Sequence, residues 1–320
     1  MRKNRTPSIF AFLAAALVTA PLFGSLPNAA ASEKRVDCWV SILPQAYFLK
    51  SVGGERVNVR VMVGPGQVPH TYEPTARQLS ELASTRLYFS VGVAFEEALV
   101  PRIQRNFRSV RIVDMTAGVE KRLASEDDMH DVETAGREDR ALERDSDGDP
   151  HGHGAFDPHV WLSPRIAAIM ARNTRDALVS SDPDGAETYR SNCRALEAEL
   201  SEVDSEIAQA LLPYDGRAIF VFHPAYGYFT DAYGLTQIAI EENGAAPGPR
   251  HLAEVIDRAR ALGTTTVFIQ PQVSASYAET VAREIGARVV TLDPLAEEYI
   301  ENLRSMAHEI ASALAEREAR

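Results

Sequence analysis

Residues 186–212 read AETYRSNCRALEAELSEVDSEIAQALL, without one glycine or proline. Leu196, Leu200, Val203, Ile207 and Leu211 recur at spacings of four, three, four and four, which is the period of a single apolar stripe on an α-helix. The stretch therefore predicts one amphipathic helix of about 27 residues, roughly 40 Å long at 1.5 Å per residue. A coiled-coil dimer would need the stripe to continue through more heptads. A helix of this length can cross from one lobe to another, and the same alternating pattern stands on both sides of it.

On the N-terminal side, strand patterns at Val36 to Ile42, Val57 to Val63, Leu87 to Val91 and Val110 to Asp114 alternate with helical ones near Gln45 to Ser51, Thr75 to Ala83 and Glu96 to Asn106. A further helix is predicted from Pro164 to Ser180, with Ser163 as its cap. Beyond Pro213, strands at Ala218 to Phe222, Leu235 to Ile240, Thr266 to Ile269 and Arg288 to Leu292 alternate with helices near Tyr226 to Tyr233, Leu252 to Ala261, Ser274 to Ile285 and Tyr299 to Ala315. Such β-α alternation predicts α/β architecture: two Rossmann-like parallel-sheet lobes, 32–184 and 213–320, joined by one long rigid helix at 185–212. Ligands of such sheets bind outside the carboxyl ends of the strands.

Arg2, Lys3 and Arg5 precede an apolar run from Ile9 to Phe23 and the small residues Asn28-Ala29-Ala30-Ala31, the pattern of a cleavable signal peptide over 1–31. The run is short for a membrane span and is interrupted by Pro21. No cysteine follows it where a lipid anchor would attach, the first being Cys38, so the expected location is the periplasm. Removing 1–31 takes away three basic and no acidic residues, moving the net charge from −12 to −15, and this argues against nucleic acid as a partner. Cys38 and Cys193 are the only cysteines and are expected to be two buried thiols. Residues 117–156 hold 12 acidic residues, five basic ones and three histidines, with almost no apolar periodicity, and predict a solvated loop. Its His151-Gly152-His153 could gather metal weakly or belong to a tolerated insertion.

Four short segments carry the chemistry, each placing one donor beside proline or an aromatic: Pro69-His70-Thr71-Tyr72-Glu73-Pro74, Asp157-Pro158-His159-Val160-Trp161-Leu162, Phe222-His223-Pro224-Ala225-Tyr226 and Thr291-Leu292-Asp293-Pro294-Leu295. In the second, a proline fixes the backbone before the imidazole and Val-Trp-Leu must bury after it. His70, His159, His223 and Asp293 make an N,N,N,O set suited to tetrahedral Zn²⁺, whereas Mn²⁺ prefers more oxygen donors. Read alone, each could equally be bonded to backbone.

With those four segments in order, the mature chain resembles the zinc/manganese substrate-binding proteins of ABC transporters, the ZnuA and TroA type. The resemblance implies two α/β lobes around one rigid helix, metal in the cleft between them, His70, His159 and His223 as ligands, and Asp293 supplying or bordering the fourth position. It also implies a monomer that hands Zn²⁺ to a membrane permease with its cytoplasmic ATPase, and no catalytic activity. Manganese-selective members usually resemble this pattern with Glu where His223 stands. Where the family often has Glu-Pro-Gln, this chain has Gln270-Pro271-Gln272, so the negative charge of a Glu is missing. Two other classes compete: a secreted zinc metalloenzyme, which needs an open position for water, and an adhesin or extracellular metal buffer.

Overall fold

The structure is a computed structural model and describes residues 35–123, 156–241, 247–272 and 275–318. Two four-stranded, wholly parallel sheets are present among these residues. The first comprises β1 (Val36–Val40), β2 (Val57–Val61), β3 (Leu87–Ser90) and β4 (Arg111–Asp114) in the order β2-β1-β3-β4. The second repeats that order with β5 (Ala218–Val221), β6 (Thr236–Ala239), β7 (Thr266–Ile269) and β8 (Arg288–Thr291), as β6-β5-β7-β8. Each strand starts or ends within two residues of its expected bounds, because β-branched runs bounded by Gly and Pro leave little room for slippage.

The first sheet is flanked by α1 (Leu43–Gly53), α2 (Ala76–Leu82), α3 (Glu96–Asn106) and α4 (Pro164–Ser181). Thr75 caps α2, accepting from Gln78 N while the Gln78 side chain returns to Thr75 N, a closed capping box. Ser163 stands at the cap position of α4 but its side chain makes no cap bond, contrary to the expectation from sequence. The helix is instead anchored by its buried Pro164, whose missing N–H removes one of the donors a cap would serve. The second sheet carries α6 (Gly227–Ala232), α7 (Pro249–Ala261), α8 (Ala275–Ile285) and α9 (Tyr299–Glu318).

Between them runs α5 (Ala186–Leu211), 26 residues, burying the predicted stripe of Leu196, Leu200, Val203, Ile207 and Leu211. It packs against α1, α4 and α9, so one helix serves both lobes. The apolar core follows from this. One continuous cluster takes in the first lobe, the α5 stripe and the inward face of the second lobe, including Ile219 and Val221 of β5. Phe220 and Phe222 point the opposite way, as strand alternation requires, into a separate cluster with Val255, Val281 and Ile285. Cys38 and Cys193 are both free and buried, as expected, and burial pushes the Cys38 thiol up to about 12.

Of the 117–156 loop, residues 124–155 lie outside the described residues, as do residues 1–31, where a signal peptide is expected. At the loop's base, Leu123 and Phe156 form an isolated antiparallel bridge.

Candidate metal centre

In a sheet of order 2-1-3-4 the connections leave β1 and β3 in opposite directions, opening a crevice at their carboxyl ends. Both lobes have that order, and one cavity is built on both crevices. It is lined by Val93 and Ala94, just past β3, and by His223 and Gln270, just past β5 and β7. The other lining residues include His70, His159, Glu241, Val68, Trp161 and Leu295, and the cavity encloses about 140 Å³. Its walls are thus largely apolar, with a few convergent nitrogens and oxygens.

Three of the four expected donors meet here. His70 sits on the 3₁₀ turn Pro69–Thr71 beyond β2, His159 immediately before the 3₁₀ turn Val160–Leu162, and His223 beyond β5. One ligand atom from each lies within 4.8 Å of the others, and His70 Nε2 stands 3.1 Å from His223 Nε2. Zn–N bonds of about 2.0–2.1 Å in a tetrahedron set nitrogens roughly 3.3 Å apart, so a small contraction would suffice to bring all three onto one ion.

The imidazoles are held by carboxylates behind them. Asp157 Oδ1 accepts from both the backbone N of His159 at 2.9 Å and its Nδ1 at 2.8 Å. This assigns the proton to Nδ1 and leaves the Nε2 lone pair for a metal. Asp157 Oδ2 in turn accepts from Arg122 at 2.8 Å. Burial, the largest influence, would raise the Asp157 pKa, but the hydrogen bonds and charge of His159 and the hydrogen bond from Arg122 together outweigh it and leave the carboxyl below its ordinary value. Arg122 continues to Asp231 Oδ2 at 3.0 Å, and Tyr228 OH joins the Arg122 N and the Asp157 carbonyl. Gly227 lets this network pack close, since a Cβ there would stand 1.9 Å from Arg122 Nη1 and 2.6 Å from Asp157 Oδ2 and would displace them.

His223 Nδ1 is hydrogen-bonded to Glu241 Oε1, a side chain only 9% exposed. Glu241 follows β6, the parallel neighbour of β5, so the two strand ends deliver ligand and orienter side by side. His70 differs. Although the residue as a whole is exposed, desolvation of its ring, followed by repulsion from His223 and His159, lowers its pKa to about 4. It is therefore neutral, as a ligand must be, at ordinary pH.

Val160, Trp161 and Leu162 are buried to 2%, 1% and 1% exposure, as the sequence required of them. Trp161 Nε1 donates to the Pro294 carbonyl at 2.7 Å and Tyr299 OH donates to the Trp161 carbonyl, which fastens the His159 segment to the second lobe.

Asp293 is not brought into the cluster. Its Oδ1 accepts from Leu295 N at 2.9 Å, turning the carboxylate back onto its own Asp-Pro-Leu turn. It lines a neighbouring cavity with Ile42, Pro65, Gly66 and Glu298 instead. The carboxylates that serve the imidazoles are Asp157 and Glu241, to which the sequence reading gave no role. Asp157 lay in the quoted motif, and Glu241 could have been sought at the carboxyl end of the strand next to β5.

A sequence profile of the family described as ZnuA, zinc-uptake complex component A, periplasmic, matches residues 39–313. The chain belongs to this family. Relatives of the ZnuA family include the high-affinity zinc uptake system protein ZnuA of Yersinia pestis, 27% identical over 86% of this chain and 90% of the relative. The zinc-binding lipoprotein AdcA of Streptococcus pneumoniae is 28% identical over 87% of this chain, but over 54% of its own length, so the chain spans about half of that relative. Among solved structures, a crystal structure of ZnuA matches with a TM-score of 0.76 at 34% identity, covering 88% of this chain and 99% of the other. A ZnuA deletion mutant with zinc bound matches with a TM-score of 0.75, also at 34% identity, covering 88% of this chain and 98% of the other.

Proposed function

We propose that this protein captures Zn²⁺ between its lobes on His70, His159 and His223 and delivers it to the permease of an ABC importer. The observation that carries this reading is the convergence of three ring nitrogens within 4.8 Å, two of them backed by buried carboxylates. A carboxylate behind an imidazole fixes its tautomer and strengthens it as a donor. Three neutral nitrogens with few oxygens suit Zn²⁺ better than Mn²⁺, which wants a harder, oxygen-rich set. The family's role in zinc uptake and the zinc-bound relative point the same way.

The site is a carrier's rather than an enzyme's on this reading. The carboxylates at the cavity, Asp157 and Glu241, are committed to His159 and His223 rather than free to act as a base. The N-terminal pattern of 1–31 supports export to the periplasm, and among the described residues no helix is long and apolar enough to cross a membrane. The chain works as a monomer in this account.

Metal-free protein should melt at higher temperature as Zn²⁺ is added, by mass action on the folded state. Mn²⁺ at equal concentration should produce a much smaller rise. Equal rises for the two ions, or none for Zn²⁺, would remove the zinc reading.

A further inference from the structure

His159 and His223 reach the cavity from different lobes, and one side chain behind them is bonded to both of the segments that carry them. Arg122, at the base of the 117–156 loop, has a side chain only 17% exposed. Its Nη1 donates to Asp157 Oδ2 at 2.8 Å, and Asp157 Oδ1 holds His159 by both the backbone N and Nδ1. Its Nε donates to Asp231 Oδ2 at 3.0 Å, on α6 of the second lobe.

The path from α6 back to His223 is short and stiff. Only Pro224, Ala225 and Tyr226 separate His223 from Gly227, where α6 begins. The proline fixes one backbone angle, Ala225 N donates to the His223 carbonyl at 2.8 Å, and the fully buried Tyr226 is bonded through its N to Gln237 Oε1 and through its OH to the Leu292 carbonyl. The helix also has a fitted place for Arg122. Gly227 leaves the notch that a Cβ would close, and Asp231, four residues on, lies on the same face. Tyr228 OH accepts from Arg122 N at 3.0 Å and donates to the Asp157 carbonyl at 3.2 Å. A planar guanidinium can serve two carboxylates in different directions, which a single ammonium does poorly.

We propose that Arg122 is a positioning residue that sets His159 relative to His223, bridging the two ligand segments through Asp157 on one side and Asp231 with Tyr228 on the other. This rests on the two histidines being zinc ligands. Ligands fixed against each other before the ion arrives need less ordering when it binds.

Asp231 separates this role from ordinary bracing. It is not one of the clustered donors, its side chain is 59% exposed, and an exposed ion pair of purely local effect would leave zinc binding alone. Arg122→Met should weaken Zn²⁺ binding about tenfold, and Arg122→Lys by less, since the ammonium keeps the charge but loses the fork. Asp231→Asn should weaken binding by about twofold or more, and should add nothing in the Arg122→Met background, because both changes break one bridge. Competition titrations compare these proteins. Loaded with Co²⁺ to saturation, the parent and Arg122→Met should differ in their visible bands, since a less firmly oriented His159 alters the ligand field. A smaller effect of Asp231→Asn, or additive losses in the double variant, overturns the proposal. So does an Arg122→Met protein that melts lower without metal but keeps the parent's zinc affinity and Co²⁺ bands. The site assignment is tested separately by His159→Ala. If that variant binds Zn²⁺ like the parent, both readings fall, whereas a crippled His159→Ala beside an unaffected Arg122→Met removes only this one.

Discussion

The two lobes share one strand order, yet they present their histidines in different ways. In the second lobe His223 leaves β5 and is met at once by Glu241 from the neighbouring strand end. The first lobe holds its two unalike: His159 is fixed between Asp157 behind it and the Trp161 anchor bonded to Pro294. His70 rides on an exposed 3₁₀ turn, and among the described residues no carboxylate is paired with it. Two imidazoles are thus set in advance and the third is adjustable. The difference suits a carrier, which needs a site selective enough to choose an ion and loose enough at one edge to admit and release it.

The largest effects should come from testing that inequality directly. His159→Ala and His223→Ala should each weaken Zn²⁺ binding more than about 100-fold, beyond the range that loss of a supporting partner causes. His70→Ala should cost less than either, because an adjustable ligand is more readily replaced by water. Competition titrations against a zinc chelator measure all three, and a His70 variant as crippled as His159→Ala would break the comparison.

Smaller losses should follow from removing the groups behind the fixed pair. Asp157→Asn and Glu241→Gln retain size and remove charge, and each should weaken zinc by about 10–100-fold while the fold survives. Isothermal calorimetry with circular dichroism on the same samples checks both parts. If both variants bind within threefold of the parent, the carboxylates are structural and the two fixed imidazoles owe nothing to them.

The smallest expected effect concerns pH and the metal-free protein. His70, lowered to about 4 from an ordinary 6.5, binds fewer protons folded than unfolded between those values, so its contribution to stability is lost as pH falls through that window. Glu96 acts in the opposite sense. It is 4% exposed, and burial, opposed by hydrogen bonds from Ser41 and the Gly92 and Val91 amides, raises it to about 7 from 4.5. Folding therefore takes up a proton there, and that contribution is lost as pH rises through about 7. In the parent the two partly cancel. Melting curves between pH 4.5 and 7 should slope toward lower stability at high pH in His70→Ala, and toward higher stability at high pH in Glu96→Gln, relative to the parent. Parallel curves for all three proteins would contradict both assignments.

Most of the architecture was legible in the sequence, because its signals are local. The Gly- and Pro-free stripe of α5, the β-branched runs, and the Thr75–Gln78 box each mark an element from within its own few residues. α3 occupies the very span expected of it, Glu96–Asn106, with two acidic residues in its first turn. The histidines were legible for the same reason, each being bracketed by proline or aromatics. What escaped was set by neighbours in space. Glu241 has no local mark and matters only because β6 lies beside β5. Asp293 was expected to supply or border the fourth position, and a turn bond local to its own segment, from Leu295 N to its Oδ1, is what directs the carboxylate here. Ser163 occupies the expected cap position, yet the proline after it already removes one of the donors a cap would serve.

The central claim, that three imidazoles from both halves converge on one zinc ion, is tested most directly by zinc K-edge X-ray absorption on protein loaded with one equivalent of Zn²⁺. The account predicts a four-coordinate ion with three imidazole nitrogens and one oxygen, and a spectrum unchanged by Asp293→Ala. Two or fewer imidazoles, or loss of the oxygen when Asp293 is removed, would contradict it.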